Sequence, residues 1–426
     1  MAPLARIFVA LLAICTAAGS LADAQSAAAV FSLLDVDTSH AELSLGDIRS
    51  GGPPPQGIPA LGFAGDARGV TAATPAPAFV TAVEAASWMS PEEPVVMVSL
   101  DGASKAYPLQ ILTWHEIVND TVGTVPVAVT FCPLCASALA FDRRIPLTDA
   151  EARRVLQRRP AASLDPPGPA LLSALPLDAG RDRVASTVTV TFGVSGLLVN
   201  SNLLMFDSLT ATLWPQLVGT GAVGTLAGAE LVRYPAQIVS FASFRAAHPD
   251  GLVLSRKTGF RRDYGRNPYV GYDRADTPPF LYDGKLDARL PPKARVVVLA
   301  GDPPFAYPYA LLAERHIVND VWRGNPVAVF WAAGTRSALG AADVADGADV
   351  GSVGVYGREL GDRTLSFAWR HGEIRDLQTG SSWNVLGEAV DGPLRGSSLA
   401  PILHTDTFWF AYAAFRPNTV IRGREP

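Results

Sequence analysis

Hydrophobic positions along this chain change period several times, and one such change occurs twice. After Pro108, the residues Ile111, Leu112, His115 and Val118 recur at helical spacing. Pro108 itself suits a first helical turn, where its missing N–H costs nothing. Asn119-Asp120 then fits a left-handed helix end. The apolar run PVAVTF at Pro126–Phe131 predicts a buried strand, with Cys132 at its end. The same order returns at an offset of 200, where AYPYALLAERHIVND leads into PVAVF at Pro326–Phe330. Ala106–Leu139 and Ala306–Leu339 align without a gap and are identical at 15 of 34 positions. Two copies of one supersecondary unit share their folding constraints, so positions where they differ point to chemistry rather than packing.

The match continues downstream. Asp207–Trp214 parallels Asp376–Trp383, Val223–Leu231 parallels Asp391–Leu399, and Phe241–Pro249 parallels Trp409–Pro417. The last two matches have an offset of 168, so the first copy holds about 32 extra residues, which fall between Arg144 and Val184. Thr148 and Glu151 form a capping box for a helix that stops before Pro160. Residues 161–180 read as a mobile surface excursion. Gly51–Ala60 is too rich in glycine and proline for a regular element and predicts an ordered loop, whereas Ser186–Phe192 and Asn200–Asp207 read as strands. The expected fold is α+β and β-rich, with two tandem homologous halves packed about a pseudo-two-fold axis. The first half spans 25–265, with the insertion at 145–184, and the second spans 266–426 without cysteine. A cleft between the halves is the expected ligand site.

Composition narrows the class. Hydrophobic residues make up 48% of the 426 and charged residues 18%, which is the balance of a compact protein and not of a disordered one. A net charge of −5 without basic clusters argues against nucleic acid as a partner. Arg6 precedes the apolar stretch IFVALLAICTAAGSLA, and Ala22-Asp23-Ala24 supplies small residues before a cut at Gln25. Residues 1–24 therefore read as a secretory signal peptide, and the protein as exported to a periplasmic or extracellular setting. A lipoprotein signal using Cys15 is the weaker reading, because Ile14 is bulky for the position before the cysteine. No later apolar stretch reaches the ~18 residues of a membrane span, so none is expected in the mature chain. Cleavage would leave two cysteines, Cys132 and Cys135, in an oxidising compartment. Oligomeric state is left open.

Cys132-Pro133-Leu134-Cys135 carries the sharpest chemistry, and it is absent from the second copy, where Ala332 and Thr335 align with the cysteines. Three readings stand side by side. An inert disulfide closing so short a loop removes only about 2 kcal/mol of unfolded-state entropy. That reading makes the protein an extracytoplasmic ligand-binding or scaffold protein. Thiol redox chemistry needs Cys132 near amide donors, as at a strand end running into a helix; ASALAFD after Pro133-Leu134 fits a strand equally well. A soft-metal site would use Cys132, Cys135 and His115, a donor set suited to copper or zinc, with a small molecule or water completing it. A lone histidine on an apolar face is more often a hydrogen-bonded core residue, although Arg315 at the aligned position implies a polar opening. Glu116 is the candidate general base or partner to a ring N–H, against the plain alternative of a solvated helix residue. Ser195 lacks the flanking pattern of a hydrolase elbow. Asp207, Asp376 and both Asn-Asp pairs read as structural, and Trp214, Trp383, Trp409 and Tyr412 as core aromatics.

The ordered set GGPPPQGIPAL, AYPLQILTWHEIVND, TFCPLC, FGVSGLLVNSNLLMFD, TLWPQ, QTGSSWN and FWFAY resembles domain-of-unknown-function family 3179 over nearly all of the mature chain. The resemblance implies a bacterial or archaeal protein and brings no established biochemical role. Some members of that family carry threonine at the position of the second cysteine of TFCPLC.

Overall fold

The computed structural model describes residues 26–168, 171 and 184–423. The proposed signal peptide lies outside the described residues, as does most of the excursion expected at 161–180. The architecture is α+β and β-rich, with short helices set among many small sheets. No helix among the described residues is long and apolar enough to cross a membrane.

Strand pairings recur in the two copies of the sequence repeat. Pro94–Leu100 pairs with Ala103–Pro108 as Arg295–Leu299 pairs with Phe305–Pro308. Each sheet adds an antiparallel strand on one side, Gln237–Ser240 or Thr405–Phe408. On the other side each adds a parallel strand, Leu252–Leu254 or Val420–Ile421. Val125–Cys132 pairs with Ile117–Val122 in the register Ile117↔Thr130, and Asn325–Ala332 with Ile317–Trp322 in the register Ile317↔Phe330. Valine recurs in Pro94–Leu100, Val125–Cys132, Arg295–Leu299 and Asn325–Ala332 and is buried there, in strands buried on both faces, as continuous apolar runs require.

The helix after Pro108 is real but shorter than its hydrophobic spacing suggests. It covers Leu109–His115 and ends at Glu116, which adopts a left-handed φ of 58°. Val118 and Asn119-Asp120 therefore lie in the following strand and do not form a helix cap. Pairing decides the matter: the Glu116 carbonyl accepts from Phe131 N–H at 2.8 Å, so the sheet begins where the helix stops. The second copy behaves alike, with helix Tyr309–Arg315 ended by His316 at φ 62°.

Asn119 and Asn319 are structural, but by another route than a turn. The side chain of Asn119 donates to Phe192 O at 2.9 Å and accepts from Phe192 N–H at 2.7 Å. Asn319 does the same to Phe367, at 2.8 and 2.9 Å. Each asparagine thus serves as a false strand partner that ties one sheet to the next. Asp120 and Asp320 accept the phenol protons of Tyr107 and Tyr307 at 2.7 and 2.8 Å. Asp207 takes the indole N–H of Trp214 at 3.2 Å, and Asp376 that of Trp383 at 3.0 Å, which accounts for their common spacing.

The ungapped alignment fails at one place. Ser137–Asp142 follows Cys132 through a four-residue turn, whereas the equivalent strand of the second copy, Ser352–Gly357, pairs with Asn325–Ala332 only after a long loop. Ser337-Ala338-Leu339 sits in that loop and is not the structural counterpart of Ser137-Ala138-Leu139. The capping box is present, with Thr148 N–H donating to Glu151 at 2.7 Å at the head of helix Asp149–Arg158. The Gly51–Ala60 segment is irregular, as expected.

Candidate thiol site

Cys132 closes its strand, and Cys135 ends a tight turn in which its N–H donates to Cys132 O at 3.1 Å. The chain then returns as the strand Ser137–Asp142, so no helix N-terminus stands behind the first sulfur. Amides of the turn take that role. Both cysteines are free thiols and both are buried.

Burial pushes the Cys132 thiol up, but a hydrogen bond from the Cys135 thiol and N–H groups of Leu203, Cys135 and Leu134 outweigh it. The net direction is downward, so Cys132 is the thiol of the pair that ionises more readily. Burial and the neighbouring charge of Cys132 hold Cys135 well above the usual thiol range. Its side chain has one amide donor, Asn202 at 3.4 Å, and its S–H also reaches Ser201 O at 3.5 Å. The asymmetry follows from counting donors: backbone amides converge on the first sulfur and not on the second.

Glu116 is buried beside this pair. Desolvation first, and then the charge of Cys132, raise its carboxyl well above the usual carboxylate range. It therefore holds its proton to higher pH than an ordinary carboxyl, the more so when Cys132 is ionised. Tyr269 donates a long 3.4 Å hydrogen bond to it. The left-handed backbone at Glu116 turns this side chain inward at the helix end, where an ordinary helical residue would project elsewhere.

His115 is placed apart from the sulfurs in its bonding. Its Nδ1 faces Pro59 O at 2.7 Å and its Nε2 faces Tyr264 OH at 2.6 Å. A carbonyl only accepts, so Nδ1 carries the proton and Tyr264 donates to Nε2. Burial drives the imidazole pKa down to about 4, keeping it neutral. Both nitrogens are thus engaged in the core, and the expected donor set of Cys132, Cys135 and His115 is not assembled. Among the described residues no group of three or more His, Cys, Asp or Glu side chains is placed to hold a metal ion.

Glu116, Leu134 and Leu203, all neighbours of the Cys132 sulfur, also line a cavity of about 40 Å³ whose other walls include Ile58, Tyr269 and Phe280. Residues beyond 265 close the site. Tyr272 OH donates to Leu134 O at 3.1 Å, Phe408 N–H to Cys135 O at 2.7 Å, and Thr407 Oγ1 to the same carbonyl at 3.1 Å. The space between this turn and the second copy amounts to only about 20 Å³, bounded by Phe131, Ala136, Arg295 and Asp406. The spaces that do lie between residues of the two expected halves are elsewhere: one of about 160 Å³ is walled by Gln237 and His248 and by Tyr356 and His404, and one of about 440 Å³ by Ser243 and Ala247 and by Trp369 and Trp383.

Sequence reasoning missed Tyr269, Tyr272, Asn202 and Leu203. The last two lie in a motif already singled out, FGVSGLLVNSNLLMFD, but the tyrosines sit in NPYVGYD, which has no counterpart in the repeat to draw attention to it. Ser195 is buried, donating to Leu204 O at 2.5 Å, which fits a structural role.

The family model for the protein of unknown function DUF3179 matches residues 56–419. The chain belongs to this family. No curated protein and no solved structure matches it. Membership in DUF3179 brings no reaction with it, so the chemistry must be argued from the arrangement around Cys132. The match begins within the Gly51–Ala60 loop and takes in both cysteines, Glu116 and the tyrosines that cover them.

Proposed function

We propose that this DUF3179 protein is an exported dithiol protein, with Cys132 as the reactive thiolate, Cys135 as the resolving thiol and Glu116 as the proton-transfer group. One observation carries the reading: backbone amides and a second thiol converge on the Cys132 sulfur deep in the protein, beside a carboxyl that holds its proton to higher pH than usual. Such a sulfur ionises more readily than an ordinary thiol, and the thiolate is the form that attacks. Oxidation removes two electrons from the pair, joins the sulfurs and releases the Cys135 proton. Export, expected from the N-terminal apolar segment, would put this couple in an oxidising compartment.

The repeated strand orders support two tandem copies packed about a pseudo-two-fold axis, one with thiols and one without. The second copy contributes cover and no chemistry in this reading. Equilibration in thiol–disulfide buffers tests it. The expected midpoint lies in the range of working dithiol proteins, about −120 to −270 mV. A midpoint below about −300 mV would identify an inert staple in a binding or scaffold protein and overturn the proposal.

A further inference from the structure

The shape of the site restricts what can oxidise it. The cavity lined by Glu116, Leu134 and Leu203, neighbours of the Cys132 sulfur, holds about 40 Å³, room for a few water-sized molecules at most. Its walls are largely apolar, formed by side chains such as Ile58, Leu134, Leu198 and Phe280. The covering hydrogen bonds from Tyr272 and Phe408 keep the cysteine turn in place. A protein disulfide, or a peptide disulfide such as oxidised glutathione, does not fit a space of this size and reaches the pair only when the cover opens, so it exchanges slowly. A neutral oxidant of two to three heavy atoms fits.

Glu116 adds a second restriction. A disulfide oxidant expels a thiolate, whose conjugate acid has a pKa of about 8.5, and such a group leaves without help. Breaking an O–O bond expels hydroxide, a far more basic leaving group, and needs a proton delivered as the bond breaks. A carboxylic acid lining the same cavity as the thiolate's neighbours supplies one.

Resting on the dithiol reading above, we propose that the oxidant is a small hydroperoxide, with hydrogen peroxide as the type, and that Glu116 is the acid that protonates its leaving oxygen. The Cys132 thiolate attacks the near oxygen, an S–O bond forms and the O–O bond breaks. The sulfur loses two electrons and the peroxide gains them. The departing hydroxide takes the Glu116 proton and leaves as water, so the negative charge of Cys132 ends on Glu116. The Cys135 thiol then attacks the Cys132 sulfenic acid, the S–S bond forms, and the S–OH oxygen departs with the Cys135 proton as a second water. An external dithiol restores the pair by exchange, ending as a disulfide itself and returning one proton to Glu116 and one to Cys135.

The test compares oxidants on the reduced full chain, with Cys132→Ser as the control for Cys15. Hydrogen peroxide is expected to oxidise the pair about 100-fold faster than it oxidises free cysteine, the factor a positioned acid supplies. Two thiols should be lost and one disulfide gained by mass. Oxidised glutathione and tert-butyl hydroperoxide should be at least about tenfold slower than hydrogen peroxide, by exclusion from the cavity. Glu116→Gln should lower the peroxide rate about 100-fold. In Cys135→Ser the sulfenic acid should persist and be captured by dimedone. Rapid oxidation by glutathione disulfide, with peroxide no faster than on free cysteine, overturns the hydroperoxide assignment and leaves the dithiol reading standing. Oxidation by neither reagent overturns both. Should a variant fail to fold, the comparison of oxidants on the unaltered chain decides alone.

Discussion

At the scale of residues, the two sulfurs differ in what surrounds them although three positions separate them in sequence. Cys132 sits where N–H groups of Leu134, Cys135 and Leu203 meet, and Cys135 does not. A folded-state thiol pKa below the unfolded value means that ionising Cys132 stabilises the fold. That contribution is complete above the unfolded value and fades as pH falls through the folded one. Titrating the thiolate by its ultraviolet absorbance should show one group ionising below the usual thiol range, lost in Cys132→Ser. Cys135→Ala removes a donor and should move this titration upward, whereas Cys135→Ser keeps an O–H donor and should move it less. An unchanged curve in Cys135→Ala would show that the second thiol does not support the first. Cys132, Cys135 and Glu116 were legible as candidates from the sequence because the second copy replaces each one. The role of His115 was not, since nothing in a sequence tells which carbonyl and which phenol will occupy a ring's nitrogens.

At the scale of elements, buried amides decide which strands meet. Asn119 is buried and makes hydrogen bonds with both the N–H and the C=O of Phe192, so Asn119→Ala orphans two backbone groups at once. The cost of unsatisfied buried groups predicts a loss of about 2–4 kcal/mol in denaturant unfolding. Asn319→Ala should cost less, because Asn319 is exposed and water can replace its side chain. Equal losses would contradict this account. The strands themselves were readable as apolar runs, and Thr148–Glu151 as a cap, because these signals are local. The helix end was misread for a physical reason: Asn-Asp is a common terminator, but the pairing of Ile117–Val122 with Val125–Cys132 claims it for a sheet. The long loop that replaces the cysteine turn in the second copy was hidden by a chance match of Ser-Ala-Leu.

At the scale of the whole molecule, the site is built from one copy and shut by the chain that follows it. The Tyr272 phenol on Leu134 O and the Phe408 amide on Cys135 O come from segments more than a hundred residues away in sequence. Tyr272→Phe removes the hydrogen bond to Leu134 O, worth about 1 kcal/mol, together with the one accepted from Phe280 N–H, and leaves the ring in place. Opening of the cover should become about fivefold more frequent. Labelling of Cys132 by a bulky maleimide reads this directly, and no increase would show that the phenol does not hold the turn. None of this closure was visible in the repeat, which describes each copy alone and not how its neighbour lies upon it.

The left-handed backbone at Glu116 recurs at His316, with φ of 58° and 62°. A side chain there costs about 1 kcal/mol relative to glycine, and the chain bears that cost in both copies. The geometry consequently belongs to the turn that launches each hairpin, and the acid was placed on a bend that was required anyway. For thermal hardening this gives the two positions different value: glycine at His316 releases strain and removes ring contacts with Trp369 and Trp331, whereas glycine at Glu116 releases the same strain and discards the proton.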